Sequence, residues 1–177
     1  MKLFQVVCAS LLLLSGCASV TPEDYRENTP TFDIRNYLNG KVEAYGMFVD
    51  NAGKADPMFK VALKGTWHGN SGVLDEHFTY NDGHTQDRKW SITFTDDHHF
   101  SGTAADIVGT ATGSQYGNAV NIKYILMVPT DSGDTYDMSM DDWLYQMSDD
   151  LVLNRNEMRK FGIKIGTLII SFHKIKP

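Results

Sequence analysis

The stretch Met58 to Phe94, MFKVALKGTWHGNSGVLDEHFTYNDGHTQDRKWSITF, decides the fold. Phe59, Val61, Leu63 and Trp67 share one parity, as do Leu74, Phe78 and Tyr80, and then Trp90, Ile92 and Phe94. Successive side chains of a strand point to opposite faces, so each run has one apolar face, and turn signals separate the runs, among them Asn81-Asp82-Gly83. Three consecutive one-sided strands predict an antiparallel sheet that curls around an interior.

The same rhythm continues on both sides. Further strands are predicted at 41–50, 100–113, 117–128, 135–147, 151–154 and 163–173, beside 58–68, 72–80 and 85–95. Pro57 is read into a 51–57 loop and Pro129 just past a strand, where neither removes a ladder hydrogen bond. Gly65, Gly102, Gly109, Gly113 and Gly166 supply bends and bulges, and Gly113-Ser114 reads as a hairpin turn. Asn156 to Phe161 followed by Gly162 reads as one helical turn with an N-cap and a terminating glycine. A sheet of this size tends to close and abolish its edges. The fold class is therefore mostly β, a single antiparallel lipocalin-like barrel of about eight to nine strands over 31–177, with a β-sandwich as the alternative.

Ahead of the sheet, 31–38 is a short lead-in ended by Asn39-Gly40, and 17–30 is polar, carries two of the five prolines and reads as a tether. Residues 1–16 have the form of a secretory leader: Lys2, then an apolar run from Leu3 to Leu14 too short to span a bilayer with its flanks. Leu14-Ser15-Gly16-Cys17 resembles the bacterial lipobox. That resemblance implies acylation of Cys17, and Ala18 in the next position implies sorting to the periplasmic face of the outer membrane. With Cys8 lost in the leader, Cys17 has no second cysteine to pair with, and acylation accounts for an otherwise orphan thiol.

Composition sets further bounds. The chain has 177 residues, 42% hydrophobic and 21% charged, enough apolar content for a folded core. Its formal charge of −6 has the wrong sign for a nucleic-acid footprint.

Tyr37-Leu38-Asn39-Gly40, Leu74-Asp75-Glu76, Asp82-Gly83 with Arg88-Lys89-Trp90, the Gly102 to Gly113 segment, Asp141-Asp142-Trp143, Asn154-Arg155 and Lys160-Phe161-Gly162 resemble a proteobacterial family of small lipoproteins with a domain of unknown function. The resemblance spans nearly the whole chain after the leader. It implies a calycin-type barrel and, through the family's linkage with genes of fatty-acid and membrane-lipid modification, a lipid-related role; it supplies no catalytic residues. Gly65-Thr66-Trp67 is also similar to the Gly-x-Trp signature of lipocalins, although that signature sits on a first barrel strand and here another strand precedes it.

Chemistry-bearing clusters are few. In Asp96-Asp97-His98-His99 adjacent side chains diverge, so a turn is the better reading than a metal site. Asp141-Asp142 and Asp149-Asp150 fail the spacing of a calcium loop and of a catalytic carboxylate pair. No nucleophile elbow, phosphate loop or zinc-protease helix is present. No catalytic residue, metal or cofactor is assigned, and the reading favours a binding protein over an enzyme.

Glu76 and Arg88 have the parity of the interior aromatics. A two-residue turn at Asp82-Gly83 would pair inward with outward groups. A three-residue turn 81–83, with Gly83 left-handed, pairs Phe78 with Gln86 and Glu76 with Arg88. An interior ion pair is therefore expected, one that fixes register and offers Arg88 to a ligand's carboxylate or phosphate. Candidate ligand-binding residues are Arg88, Glu76, Trp67, Phe78, Trp90, Phe94 and Tyr124, with structural polar roles for Asp106, Asp142, Asn154 and Arg155. The expected function is a lipid-anchored protein holding a fatty acid, phospholipid or other apolar molecule. The rival is an assembly protein with a filled barrel and a protein partner.

Overall fold

The computed structural model describes residues 19–130 and 133–176, so the leader and Cys17 lie outside the described residues. Ten strands form one closed antiparallel barrel: β1 (Gly40–Asp50), β2 (Ala55–His68), β3 (Ser71–Tyr80), β4 (Thr85–Phe94), β5 (His99–Thr103), β6 (Ala111–Tyr116), β7 (Ala119–Pro129), β8 (Thr135–Gln146), β9 (Leu151–Lys160) and β10 (Ile163–Lys174). Each strand pairs with its neighbours in sequence, and β1 closes the barrel on β10.

The count exceeds the expected eight to nine because 100–113 is two strands, β5 and β6, joined by an irregular segment. Gly113-Ser114 lies inside β6 instead of forming a turn. The helical turn expected at 156–161 is strand: β9 runs to Lys160, with Val152, Asn154 and Asn156 buried on one parity. Interstrand pairing with β8 and β10 overrides the weak local helix signal there. Pro57 lies in β2, beside the bulge where the register between β1 and β2 shifts at Met47/Val49, a place where no ladder bond is lost.

One end of the barrel is plugged. Asp33 caps the one-turn helix α1 (Ile34–Tyr37) by accepting from the Arg35 backbone N–H at 2.9 Å. Phe32, Ile34, Tyr37 and Leu38 are all buried against Val42, Val61, Leu63, Leu74, Phe94, Phe100 and Val152. The Tyr37 hydroxyl donates to the carbonyls of Asp150 and Phe172 at 3.0 and 2.9 Å, and the Lys174 ammonium donates to the Tyr37 carbonyl at 2.7 Å. Gly65 is required where the chain leaves the plug, because the Leu38 carbonyl occupies the space a side chain would fill.

The stretch before the plug is less free than its polar composition suggests. Pro22–Tyr25 forms a 3-10 turn on the outer wall, with the Tyr25 ring 5.9 Å from Trp143 and 5.5 Å from Tyr145. This contact explains why Trp143, on the outward parity of β8, is only 5% exposed. Among the described residues no helix is long and apolar enough to cross a membrane.

Candidate functional site: a polar layer inside the barrel

Above the plugged core the inward parity changes character. Glu76 on β3, Arg88 on β4, Tyr124 on β7, Asp142 on β8, and Asn154 and Asn156 on β9 all face the interior, joined by Asp106 from the segment between β5 and β6.

The β3–β4 hairpin sets the first contacts. Gly83 has φ +90°, the Tyr80 N–H donates to the His84 carbonyl at 3.0 Å, and the register pairs Phe78 with Gln86 and Glu76 with Arg88, as the three-residue turn requires. The pair itself is looser than expected. Arg88 Nη1 is 3.8 Å from Glu76 Oε2, whereas Arg88 Nε donates to Asp106 Oδ2 at 2.8 Å and Nη2 lies 2.8 Å from the same oxygen. Asp106 is thus the main partner of Arg88, and the guanidinium also packs 5.3 Å from the Phe78 ring centre.

Asp106 is aimed inward because its segment extends the sheet where β6 is too short. The Met127 N–H donates to the Asp106 carbonyl at 2.8 Å, Ile107 bridges Leu126, and the Val108 N–H donates to the Ile125 carbonyl at 2.9 Å. Irregular backbone carries no period, so sequence parity could assign Asp106 no face.

On the opposite wall, Asn154 Nδ2 donates to Asp142 Oδ1 and, at 3.0 Å, to the Trp143 carbonyl. Asn156 Nδ2 donates to the Tyr124 hydroxyl at 2.9 Å, and the Tyr124 ring meets Trp90 edge to face at 5.6 Å. Asn156 was missed as a site residue because it was read as a helix cap; the shared parity of Val152, Asn154 and Asn156 is the signal that locates it. Arg155 stands apart from this group, exposed on the outward face opposite Trp143.

Burial dominates the electrostatics. It pushes Glu76 up to about 7, against the opposing pull of Arg88 and with help from the negative charges of Asp106 and Asp142. Asp142 is likewise pushed up to about 7 by burial, against the Asn154 hydrogen bond and Arg88. Burial also raises Tyr124, with Asp142 adding to the effect. Burial works against the Arg88 charge, but the carboxylates around it, Glu76 foremost, hold it above its usual value. Glu76 Oε2, Asp106 Oδ1 and Asn156 Oδ1 are buried without a hydrogen-bond partner.

The five aromatic candidates sit at two levels. Trp67 and Phe94, 6.1 Å apart, lie at the plugged end, where Phe94 belongs to the core and packs 4.9 Å from Phe100 while the partly buried Trp67 packs against it. Phe78, Trp90 and Tyr124 flank the polar layer. Beyond them, toward the end that no described segment plugs, Phe59 packs on Phe78 and Tyr80 at 5.8 and 5.7 Å and is only half-buried, as are Phe48 and Leu126.

The remaining acidic clusters are local structure. Asp96 accepts from the backbone N–H groups of His98 and His99, both at 2.7 Å, in a turn. Asp141 faces outward and accepts from Asn121 at 2.7 Å while Asp142 faces inward. Ser148 and Asp150 hydrogen-bond within the β8–β9 turn. Among the described residues no group of three His, Cys, Asp or Glu side chains is placed to hold a metal ion.

Comparison with solved structures gives the same architecture. The S-type phycobiliprotein lyase CPES from Guillardia theta superimposes with a TM-score of 0.60 at 7% identity, covering 81% of this chain and 92% of that one. A DUF3598 protein with unknown function from Nostoc punctiforme gives 0.52 at 10% identity, covering 84% of this chain and 51% of that one. At such identities the likeness concerns the fold alone. No curated protein matches the sequence. The sequence profile described as Protein of unknown function (DUF3833) matches residues 11–174, and the chain belongs to that family.

Proposed function

We propose that this protein is a non-enzymatic binding lipoprotein, anchored through an acylated Cys17 to the periplasmic face of the outer membrane, that holds a lipid-like amphiphile in the unplugged half of its barrel. The observation that carries this reading is the polar layer. Buried acceptors without partners cost about 1–3 kcal/mol each, yet three of them, Glu76 Oε2, Asp106 Oδ1 and Asn156 Oδ1, lie beneath a half-exposed aromatic mouth. A ligand with an apolar body and a polar end offsets that cost: the body lies along Phe48, Phe59 and Leu126, and the polar end meets the layer.

The test is purification from the native host, denaturing extraction and mass spectrometry, with a second lipoprotein prepared in parallel as control. A reproducible amphiphile enriched over the control is expected, along with acyl mass on the peptide that begins at Cys17. A barrel that yields no enriched species but co-purifies with a stoichiometric protein partner replaces this reading with the assembly role. A peptide retaining Met1 removes the anchor.

A further inference from the structure

We infer that the polar layer selects a ligand whose buried end is a protonated amine, presenting N–H donors, and rejects carboxylate ends. The inference rests on the binding reading above and adds the chemistry of the head group.

The argument starts from what Arg88 already does. A guanidinium facing into a barrel invites the expectation of an anionic ligand, but two of its nitrogens, Nε and Nη2, are within 2.8 Å of one oxygen of Asp106, and Nη1 points toward Glu76. A ligand carboxylate would have to displace Asp106 and would then stand among Asp106, Glu76 and Asp142. That arrangement brings a fourth negative charge to a layer with one fixed positive charge, a like-charge contact in a medium that screens poorly.

The buried atoms that lack a hydrogen bond point the other way, although one of them, Glu76 Oε2, also faces Arg88 Nη1 at 3.8 Å. Glu76 Oε2, Asp106 Oδ1 and Asn156 Oδ1 are all acceptors. Asn156 is only 2% exposed, and its side chain donates to the Tyr124 hydroxyl and interacts with the Asp142 carboxylate, while its carbonyl oxygen has no hydrogen bond. In number and polarity the three acceptors suit the three N–H bonds of an alkylammonium, whose charge also balances the excess of carboxylates. The groups that bear on Glu76 are Arg88 from β4, Asp106 from the segment before β6, Tyr124 from β7 and Asp142 from β8; no histidine lies among them. Since Glu76 and Asp142 ionise near neutrality, amine binding strengthens as pH rises from 5.5 to 8, while an alkylamine stays protonated throughout.

The experiment uses the chain from residue 17 to 177 with Cys17→Ser, titrated separately with octylamine, octanol, octanoate and octyltrimethylammonium, and read by calorimetry and by tryptophan fluorescence, to which Trp90 contributes with Trp67 and Trp143. At pH 8 octylamine binds at least tenfold more tightly than octanoate or the trimethyl compound, and its lead over octanol falls several-fold at pH 5.5. In Glu76→Gln the lead over octanoate drops below threefold, and Asp106→Asn serves as a second variant should the first fold poorly. Octanoate binding as tightly as octylamine, or an undiminished amine preference in both variants, overturns the head-group inference and leaves the binding reading standing. Failure of all four probes to bind overturns both.

Discussion

At the plugged end, Phe32, Ile34, Tyr37 and Leu38 bury their side chains almost completely, and the Tyr37 hydroxyl finds two carbonyl acceptors. One strand-turn higher, Glu76, Asp106 and Asn156 leave acceptors unpartnered, two carboxyls are driven toward neutrality, and the rings above them are half-exposed. The same ten strands carry both halves, so strand pairing cannot be the cause. The difference lies in what fills the cylinder. The lower half is filled by the chain's own lead-in segment and gains stability from it, while the upper half retains buried polar groups that folding alone does not favour.

Phe32→Ala gives the largest effect that would break this contrast. At 1% exposure the ring is part of the plug, and its removal costs about 3–5 kcal/mol in urea unfolding. A loss under about 1 kcal/mol would mean that the plug contributes little and that the two halves do not differ in kind.

Glu76→Gln sharpens the contrast through pH. A glutamate at about 7 in the folded chain binds its proton more tightly than in the unfolded chain, where the usual value is 4.5. Its ionisation therefore leaves folding unaffected below pH ~4.5. The resulting destabilisation develops as pH rises toward 7 and stays constant above. Glu76→Gln removes it, so the variant is more stable than the parent by roughly 1–3 kcal/mol at pH 8 and equal to it near pH 4.5. Unfolding curves at the two pH values decide the matter; a variant less stable at pH 8 would show that the Arg88 attraction outweighs burial.

The smallest effect concerns the β9–β10 turn at the unplugged end. Phe161 holds φ +50° while 92% exposed, beside Gly162 at φ +78°. A left-handed aromatic this exposed gains little beyond the Lys160 ammonium 5.6 Å from its ring centre, and Asn-Gly is the better pair for a turn with two positive φ values. Phe161→Asn should raise stability by about 0.5–1 kcal/mol, seen as a small increase in the thermal midpoint. An unchanged or lower midpoint would place Phe161 among the stabilising contacts.

Legibility in the sequence follows the same division. Alternation located β2, β3 and β4 to within a few residues at each end, and the left-handed Gly83 fixed the Glu76–Arg88 register, because period and turn chemistry are local properties of the chain. β5 and β6 merged in the reading because the short irregular stretch between them, 104–110, carries no strong turn signal, and β9 was cut short because Asn156 to Phe161 carries a local helix signal that neighbouring strands override.

The sequence by itself determined that the chain is a one-sided antiparallel meander with polar groups on its inward face, since side-chain alternation leaves no other place for Glu76 and Arg88. Only the tertiary structure decided that Asp106 holds Arg88, that Phe94 lies in the core with Trp67 packed against it, and that Asn156 and Asp142 join the layer from the far wall. Closing the barrel brings together residues distant along the chain, and the burial that follows is what shifts Glu76 and Asp142. Desolvation depends on everything that surrounds a carboxyl, so neither its own residue type nor its spacing along the chain encodes it.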